Sequence, residues 1–358
     1  MPGAAAGKRA ALGRGIQLSL ITVCMNRAHH LLMSVPQVSA WPHHDEHLVV
    51  DWSSTIPLQL DELPADSRLR LIRVEGERRW NSSRAYNFAA AHSHGRWLMR
   101  MDADCWPTDQ LNPAHLLHQA PLWVGEGGEG RYGQFLMERS SFARIGGFNE
   151  FMEGWGFEDK DLHARLEVQQ QLHLTRLPTP MIGVIEHSDA ERMGHSGALR
   201  ALQRQQTLAA LRASRLHNRL VAAHCPWGAA TPASRYQAIA PASESIPMAA
   251  GSPQRFRALP ESLPRLPKPL ALRLRQTRRR QFWSTLLAIP EVAIEVLPEK
   301  LLPADRDGQW PMCWWHRLYW LTARQLLWLP VALLGLSRGL RERYLGSAGA
   351  ATPDGDLP

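Results

Sequence analysis

From Gln17 onward, apolar runs of strand length alternate with helical patterns. QLSLITVCMN reads as a buried strand, and RAHHLLMSVPQVSAW after it has helical spacing in spite of Pro36. HLVVDWSS is a second strand that ends in Asp51 and two serines, the composition of a loop leaving the carboxyl end of a strand. LRLIRVEG supplies a third strand, SSRAYNFAAAHSHG a helix capped by Ser82 or Ser83, and RWLMRMDADCWP a fourth strand running into an acidic turn. This alternation predicts an α/β protein with a Rossmann-like, mostly parallel sheet flanked by helices, in which ligands gather at the carboxyl ends of strands. Asp51, Asp102 and Asp104 stand at such ends.

After Pro121 a Gly-rich loop, GEGGEG, precedes YGQFLMERSSFARIGGFNE, which reads as a strand, a short helix and a tight glycine turn. In GWGFEDKDLHARL two glycines free the backbone around Trp155, and an acidic cluster opens a helix, where carboxylates suit the positive end of the dipole. PMIGVIEHS is one more strand, and the polar, Ala-rich stretch from Gly197 to Ala223 is helical. The chain divides into a short amino-terminal arm (1–15), a main domain (16–225), a Pro/Ala/Ser-rich linker or extended surface wrap (226–269), a helical, basic and Trp-rich region (270–345) and a tail (346–358).

Composition narrows the setting. The chain has 358 residues, of which 44% are hydrophobic, enough for a large core plus an appendage. A formal charge of +8 favours polyanionic surroundings: nucleic acid, anionic lipid or the phosphates of a nucleotide. Four cysteines lie far apart without a CxxC pair, which disfavours a zinc knuckle and a disulfide scaffold and fits a reducing cytosol. The first fifteen residues lack the apolar core of a secretory signal, and the most apolar later stretch, Gln325 to Leu336, is about half the length needed to span a bilayer. The tail combines RLRQTRRR with Trp310, Trp314, Trp315, Trp320 and Trp328, so it either packs on the core or seats peripherally on the cytoplasmic face of an anionic membrane, the reading slightly favoured here. Nucleic acid is disfavoured because no recognised binding module accompanies the basic run.

The chemistry concentrates in two acidic clusters. In the triplet DAD, Asp102 and Asp104 face the same way where a strand ends, so the pair can grip one hard divalent cation, Mn2+ or Mg2+, that also takes phosphate oxygens. The second cluster is EDKD, with Glu158 and Asp159 at the start of a helix.

Taken in order, Asp51-Trp-Ser-Ser, SRAYNFAAAHSHGRWLMRMDAD, GGFNE and GWGFEDKDLHARL resemble the family 2 glycosyltransferases. The last two blocks are also similar to the galactosyltransferase-type segment of β-1,4-galactosyltransferases and chondroitin-polymerase-like enzymes. The resemblance covers residues 16–225. It implies a GT-A fold, a nucleoside diphosphate sugar donor, with UDP-sugar first, a carbohydrate or glycolipid acceptor, and inversion at the sugar carbon. By position it places Thr22 and Asn26 at the base and ribose pocket, Asp51 on the nucleobase or ribose, and Arg84 and Asn87 at the diphosphate side or the DAD loop. Asp104 becomes the direct metal ligand, Asp102 a ligand of ribose or of the metal through water, and His187 a further metal ligand, with His195 its weaker rival. Galactosyltransferases carry a metal-binding methionine three residues before that histidine; here the position is Val184, which leaves Mn2+ and hydrated Mg2+ level. Asp159 matches the general base, Glu158 an acceptor-holding residue and Trp155 the floor on which a sugar stacks, while Lys160 departs from the all-acidic run.

Each assignment has a plainer counterpart. Asp159 and Glu158 are also residue types that a helix amino-terminus recruits, the lesser reading for both, while His187 and Trp155 suit core packing and Arg84 suits a solvated helix face. Two other functions compete. A nucleotidyltransferase also joins a doubly wound sheet to paired aspartates, but ITVCMNRAHH lacks the Gly-rich, lysine-bearing loop expected after the first strand. A degenerate transferase acting as a membrane-associated scaffold is disfavoured by the intact acidic pairs.

Overall fold

The computed structural model describes residues 17–127, 130–185, 200–239 and 253–286. In chain order its strands and longer helices are β1 (Leu18–Cys24), α1 (Ala28–Ala40), β2 (Glu46–Trp52), β3 (Leu69–Glu75), α2 (Ser82–His92), β4 (Trp97–Arg100), β5 (Cys105–Pro107), α3 (Pro113–Gln119) and β6 (Leu122–Gly125). There follow β7 (Phe135–Glu138), α4 (Arg139–Arg144), α5 (Glu158–Gln170), β8 (Thr175–Leu177), β9 (Ile182–Val184), α6 (Arg200–His224), β10 (Tyr236–Ala238), β11 (Gln254–Ala258) and α7 (Lys268–Leu286). Residues to Gln281 form one compact unit, and a second begins at Phe282. Of the basic, Trp-rich region, residues 287–345 lie outside the described residues, as do His187 and His195.

Among the described residues nine strands make one sheet in the order β10-β11-β3-β2-β1-β4-β7-β6-β8, and β5 pairs separately with β9. The sheet is mixed but mostly parallel: β1, β2, β3, β4 and β11 run together, while β10 and β7 oppose their neighbours. β1 and β2 are buried along their whole length, the burden of a strand covered on both faces. From β1 the chain moves outward to β2 and β3 and then returns to place β4 on the other side of β1. The strand order therefore reverses between β1 and β4, and a crevice opens at their carboxyl ends. The DAD triplet begins two residues after β4, at that crevice.

On one face the core gathers Trp52, Tyr86, Phe88, Phe135 and Phe148; on the other, Trp41, Met99 and Trp123. Two local expectations need correction. The cap of α2 is Asn81 rather than Ser82 or Ser83, since its side chain accepts the Arg84 amide at 2.9 Å. Residues 226–269 are not simply a linker, because β10 and β11 lengthen the sheet beyond β3. Short edge strands give little periodicity to read: Tyr236 and Phe256 turn inward, packing edge-on against Phe88 at 4.9 and 5.3 Å, while their neighbours meet solvent.

Phe256→Ala should therefore lower stability by about 2 kcal/mol, as loss of a half-buried aromatic does. Urea denaturation followed by circular dichroism measures it; a change near zero would make β11 a passive wrap.

Candidate active site

Arg100 is the last residue of β4 and shares a strand face with Leu98, so its side chain enters the aromatic core instead of solvent. It is 4% exposed. The guanidinium lies 4.1 Å from the Tyr86 ring centre and 5.3 Å from that of Phe148, an arrangement in which ring quadrupoles attract a cation. Its N–H groups donate to Asp102, with Nη2 3.0 Å from Oδ1, and to Asp159, with Nη1 2.7 Å from Oδ1. One buried cation, 59 residues before Asp159, thus joins the strand-end acidic triplet to the helix-start acidic cluster.

The neighbours of this pair fix it further. The Tyr86 hydroxyl donates to Asp102. Gln134, fully buried, accepts the Asp102 backbone N–H at 2.9 Å and donates to the Gly130 carbonyl at 2.7 Å, tying the acidic loop to the Gly-rich turn. At Gly133 a Cβ would lie 3.1 Å from Arg100 Nη2 and 3.2 Å from Asp159 Oδ2, closer than they readily allow, so the absence of a side chain lets this turn close over the ion pair.

On the other side the chain turns sharply before α5, with positive φ at Gly154, Gly156 and Phe157. Left-handed backbone is rare for a bulky residue such as Phe157, and such conformations collect where a loop must present specific groups. Two residues of α6, one turn apart, clamp this loop. Ser214 Oγ accepts the Trp155 N–H at 3.0 Å, while Asn218 accepts the Glu153 N–H at 3.0 Å and donates to the Gly156 carbonyl at 2.8 Å. Trp155 is left 41% exposed.

The carboxylates are driven apart electrostatically. Burial raises the pKa of Asp102, but the Arg100 charge and the Tyr86 hydrogen bond outweigh it and hold the group below its usual range. For Asp159 burial is the larger influence, so its pKa rises despite Arg100. Glu158 is pushed far above the ordinary 4.5 by burial and then by the adjacent Asp159 charge. Its Oε2 is buried with no hydrogen-bond partner. Asp104 is buried, accepts the Cys105 thiol at 3.5 Å through Oδ1, and its carbonyl accepts the Ile185 amide at 2.8 Å.

Residues 19–118 match the family model described as Glycosyl transferase family 2, and residues 125–191 match the one described as N-terminal domain of galactosyltransferase. Residues 19–191 are a glycosyltransferase domain. No curated protein matches the chain. Among solved structures it is similar to the catalytic domain of Drosophila beta1,4-galactosyltransferase 7 in complex with xylobiose, at 14% identity over 68% of this chain and 94% of that one, TM-score 0.41. Glucosyl-3-phosphoglycerate synthase from Mycobacterium tuberculosis with Mg2+ and UDP aligns at 16% identity over 67% and 89%, TM-score 0.43. The mannosyltransferase PcManGT from Pyrobaculum calidifontis, with GDP-Man and Mn2+, aligns at 16% over 55% and 63%, TM-score 0.40.

The glycosyltransferase domain brings Asp102, Glu158 and Asp159 together around Arg100, with Asp104 on the same loop and Trp155 on the neighbouring turn. Other expected donor residues take different positions. Asp51 is wholly buried and its oxygens are taken by the amides of Ser54 and Leu58 and by Arg73, so it holds its own loop. Thr22 is also buried, its hydroxyl 3.1 Å from His47 Nε2. The Asn87 side-chain amide bonds Phe148 N, Phe148 O and Glu150, pinning the Gly-Gly-Phe-Asn turn. Arg84 pairs with Glu77 at 2.7 Å. Asn26 is exposed and links the loops after β1 and β2, its Oδ1 accepting the Thr55 amide at 2.7 Å.

Sequence reasoning missed Arg100, Tyr86 and Gln134. A signal for Arg100 was available, a lone charge inside the apolar run WLMRM on the same face as Leu98.

Removing one partner of a buried pair strands the others, so Arg100→Leu should cost about 3 kcal/mol. With Asp159→Asn added, the loss should be smaller than the sum of the two single losses, as urea denaturation of all three variants would reveal. Glu158 generates a pH dependence. The folded chain holds its proton more tightly than the unfolded chain, so its contribution to stability is complete below 4.5 and is lost as pH rises toward the elevated folded-state value. Glu158→Gln should therefore flatten the fall in stability from acid to mildly alkaline pH, measured by thermal unfolding across that range.

Proposed function

We propose that the domain transfers a sugar from a nucleoside diphosphate sugar, a UDP-sugar first among them, to a hydroxyl of a carbohydrate or glycolipid acceptor, with inversion. The observation that carries this reading is the Arg100 bridge, which sets the DAD loop and the carboxylates of α5 side by side at the switch point of the sheet. Donor chemistry and acceptor deprotonation both need a place, and the two must lie close together.

The oxygen donors of Asp104 and Asp102 suit a hard cation that keeps water and phosphate oxygens among its ligands, and among the described residues no set of three acidic, histidine or cysteine donors converges. Mn2+ or Mg2+ fits that incomplete set, with His187 the proposed third protein ligand. When bound, the cation offsets the charge of the departing diphosphate.

Asp159 is the proposed base. Its raised pKa makes it a better proton acceptor near neutrality than an ordinary aspartate, and Arg100 orients the carboxylate and balances its charge. It takes the proton of the acceptor hydroxyl as that oxygen bonds the anomeric carbon and the bond to the nucleoside diphosphate breaks. Glu158, its pKa pushed up to about 8, carries an O–H below that pH to donate to the acceptor, and Trp155 offers a surface for the sugar ring. Asp51 and Asn26 serve this reading indirectly, by shaping the loops after β1 and β2 that border the donor side. No helix among the described residues is long and apolar enough to cross a membrane, and peripheral membrane contact by the basic tail is proposed on composition alone.

Asp159→Asn should lower turnover by roughly 10²-fold or more while donor affinity hardly moves. Asp104→Ala should instead weaken binding of UDP in the presence of Mn2+, read by calorimetry on the full chain. Wild-type turnover in the first variant would sink the base assignment, and unchanged metal-dependent UDP binding in the second would sink the metal site.

A further inference from the structure

Trp80 and Trp155 are 37% and 41% exposed, two of the few large apolar side chains that the described residues leave in water. They are brought together by an isolated parallel bridge between Asn81 and Gly154. At ordinary strand spacing, the residue before one bridge partner and the residue after the other have Cα atoms about 8 Å apart. Asn81 anchors this arrangement by donating to the Met152 carbonyl at 3.0 Å. Indoles carried on backbone positions this near each other can each meet the apolar face of a different sugar ring in one saccharide.

The same short stretch collects positive charge. Arg78 and Arg79, both exposed, immediately precede Trp80. From α6 the exposed Arg215 passes its side-chain stem within 3.6 Å of the point where a Cβ on Gly156 would stand. From α7 the Arg278 guanidinium comes within 3.7 Å of the same point on Gly154. Among the described residues none of the four arginines is in an ion pair. The acids next to this stretch are Glu77, which is buried and paired with Arg84, and the exposed Glu153, next to Gly154. Four guanidinium groups against the one exposed carboxylate leave a net positive field at the rim of the acceptor side, and each presents a planar fork suited to carboxylate or phosphate.

We propose that the acceptor is an anionic saccharide, carrying a carboxylate or phosphate on the sugar next to the one that is glycosylated, with its rings on Trp155 and Trp80 and its charge among Arg78, Arg79, Arg215 and Arg278. The inference rests on the glycosyltransferase reading in taking Trp155 as the acceptor side.

The test is calorimetric titration of the full chain, alone and with UDP and Mn2+, using cellobiose, its uronic acid counterpart and its 1-phosphate. Both charged probes should bind about tenfold more tightly than cellobiose, the sum of several modest exposed contacts. That preference should shrink as salt screens the charges. In Arg78→Gln/Arg79→Gln and in Arg215→Gln/Arg278→Gln the preference should fall toward unity while cellobiose binding holds, and Trp80→Ala should weaken all three probes alike. A preference for only one charged probe would name the anion. Equal binding of neutral and charged probes, binding of none, or a preference that survives both arginine pairs would overturn the proposal. So would loss of binding to phosphatidylglycerol vesicles in the arginine variants without any saccharide preference, which would assign the charges to a lipid surface. Failure of UDP to bind with Mn2+ while the charged preference persists would overturn the glycosyltransferase reading and leave the anionic saccharide site standing.

Discussion

The buried guanidinium of Arg100 is the constraint on which the candidate site depends. A cation removed from water is strongly unfavourable unless charge and hydrogen-bond partners replace its hydration. Arg100 obtains them from Asp102 on one side and Asp159 on the other, with Tyr86 and Phe148 against its faces. The folded state can satisfy this group only by bringing the loop after β4 and the start of α5 together. A requirement of stability thereby sets the separation of the two acidic clusters that the chemistry needs.

The same cation sorts the acids around it. Three carboxyl groups, those of Asp102, Glu158 and Asp159, lie near a single positive charge, and burial alone would raise all of them. Asp102, which accepts from the Tyr86 hydroxyl as well as Arg100, is held in its ionised form, whereas burial and the adjacent Asp159 charge raise the pKa of Glu158, whose buried Oε2 has no partner. Neighbouring acids pushed to opposite protonation states are a recurring arrangement in acid–base catalysis. Here the division arises from the donors each group has besides the shared arginine: Asp102 has Tyr86, while Asp159 faces the Asp102 charge.

Around this centre, side-chain amides replace regular secondary structure as the means of holding loops. Asn87 pins the turn before Phe148, Gln134 joins the acidic loop to the Gly-rich turn, and Asn218 with Ser214 clamps the loop that carries Trp155. These segments adopt left-handed backbone at Gly147, Gly154, Gly156 and Phe157, where no ladder of hydrogen bonds could hold them. Preorganisation of this kind keeps reacting groups in place without ordering them anew in each cycle.

The periodicity of the chain was enough to find β1 to β4, α1, α2 and α5, because burial on one or two faces writes a repeat into local sequence. Spacing also exposed the DAD and EDKD clusters, since side-by-side carboxylates at element ends are visible within a few residues. Pairing between distant residues leaves no such trace. Arg100 and Asp159 are 59 positions apart, Asn87 and Phe148 61, and β11 joins β3 from beyond residue 250. A hydrophobic pattern states that a side chain is buried without stating against what, and a lone arginine in a strand reads equally as a surface charge or a buried one. Asp51 looked the same as Asp102 in sequence, each a carboxylate at a strand's end. Only packing distinguished them, enclosing the first among Ser54, Leu58 and Arg73 and leaving the second 30% exposed beside Arg100.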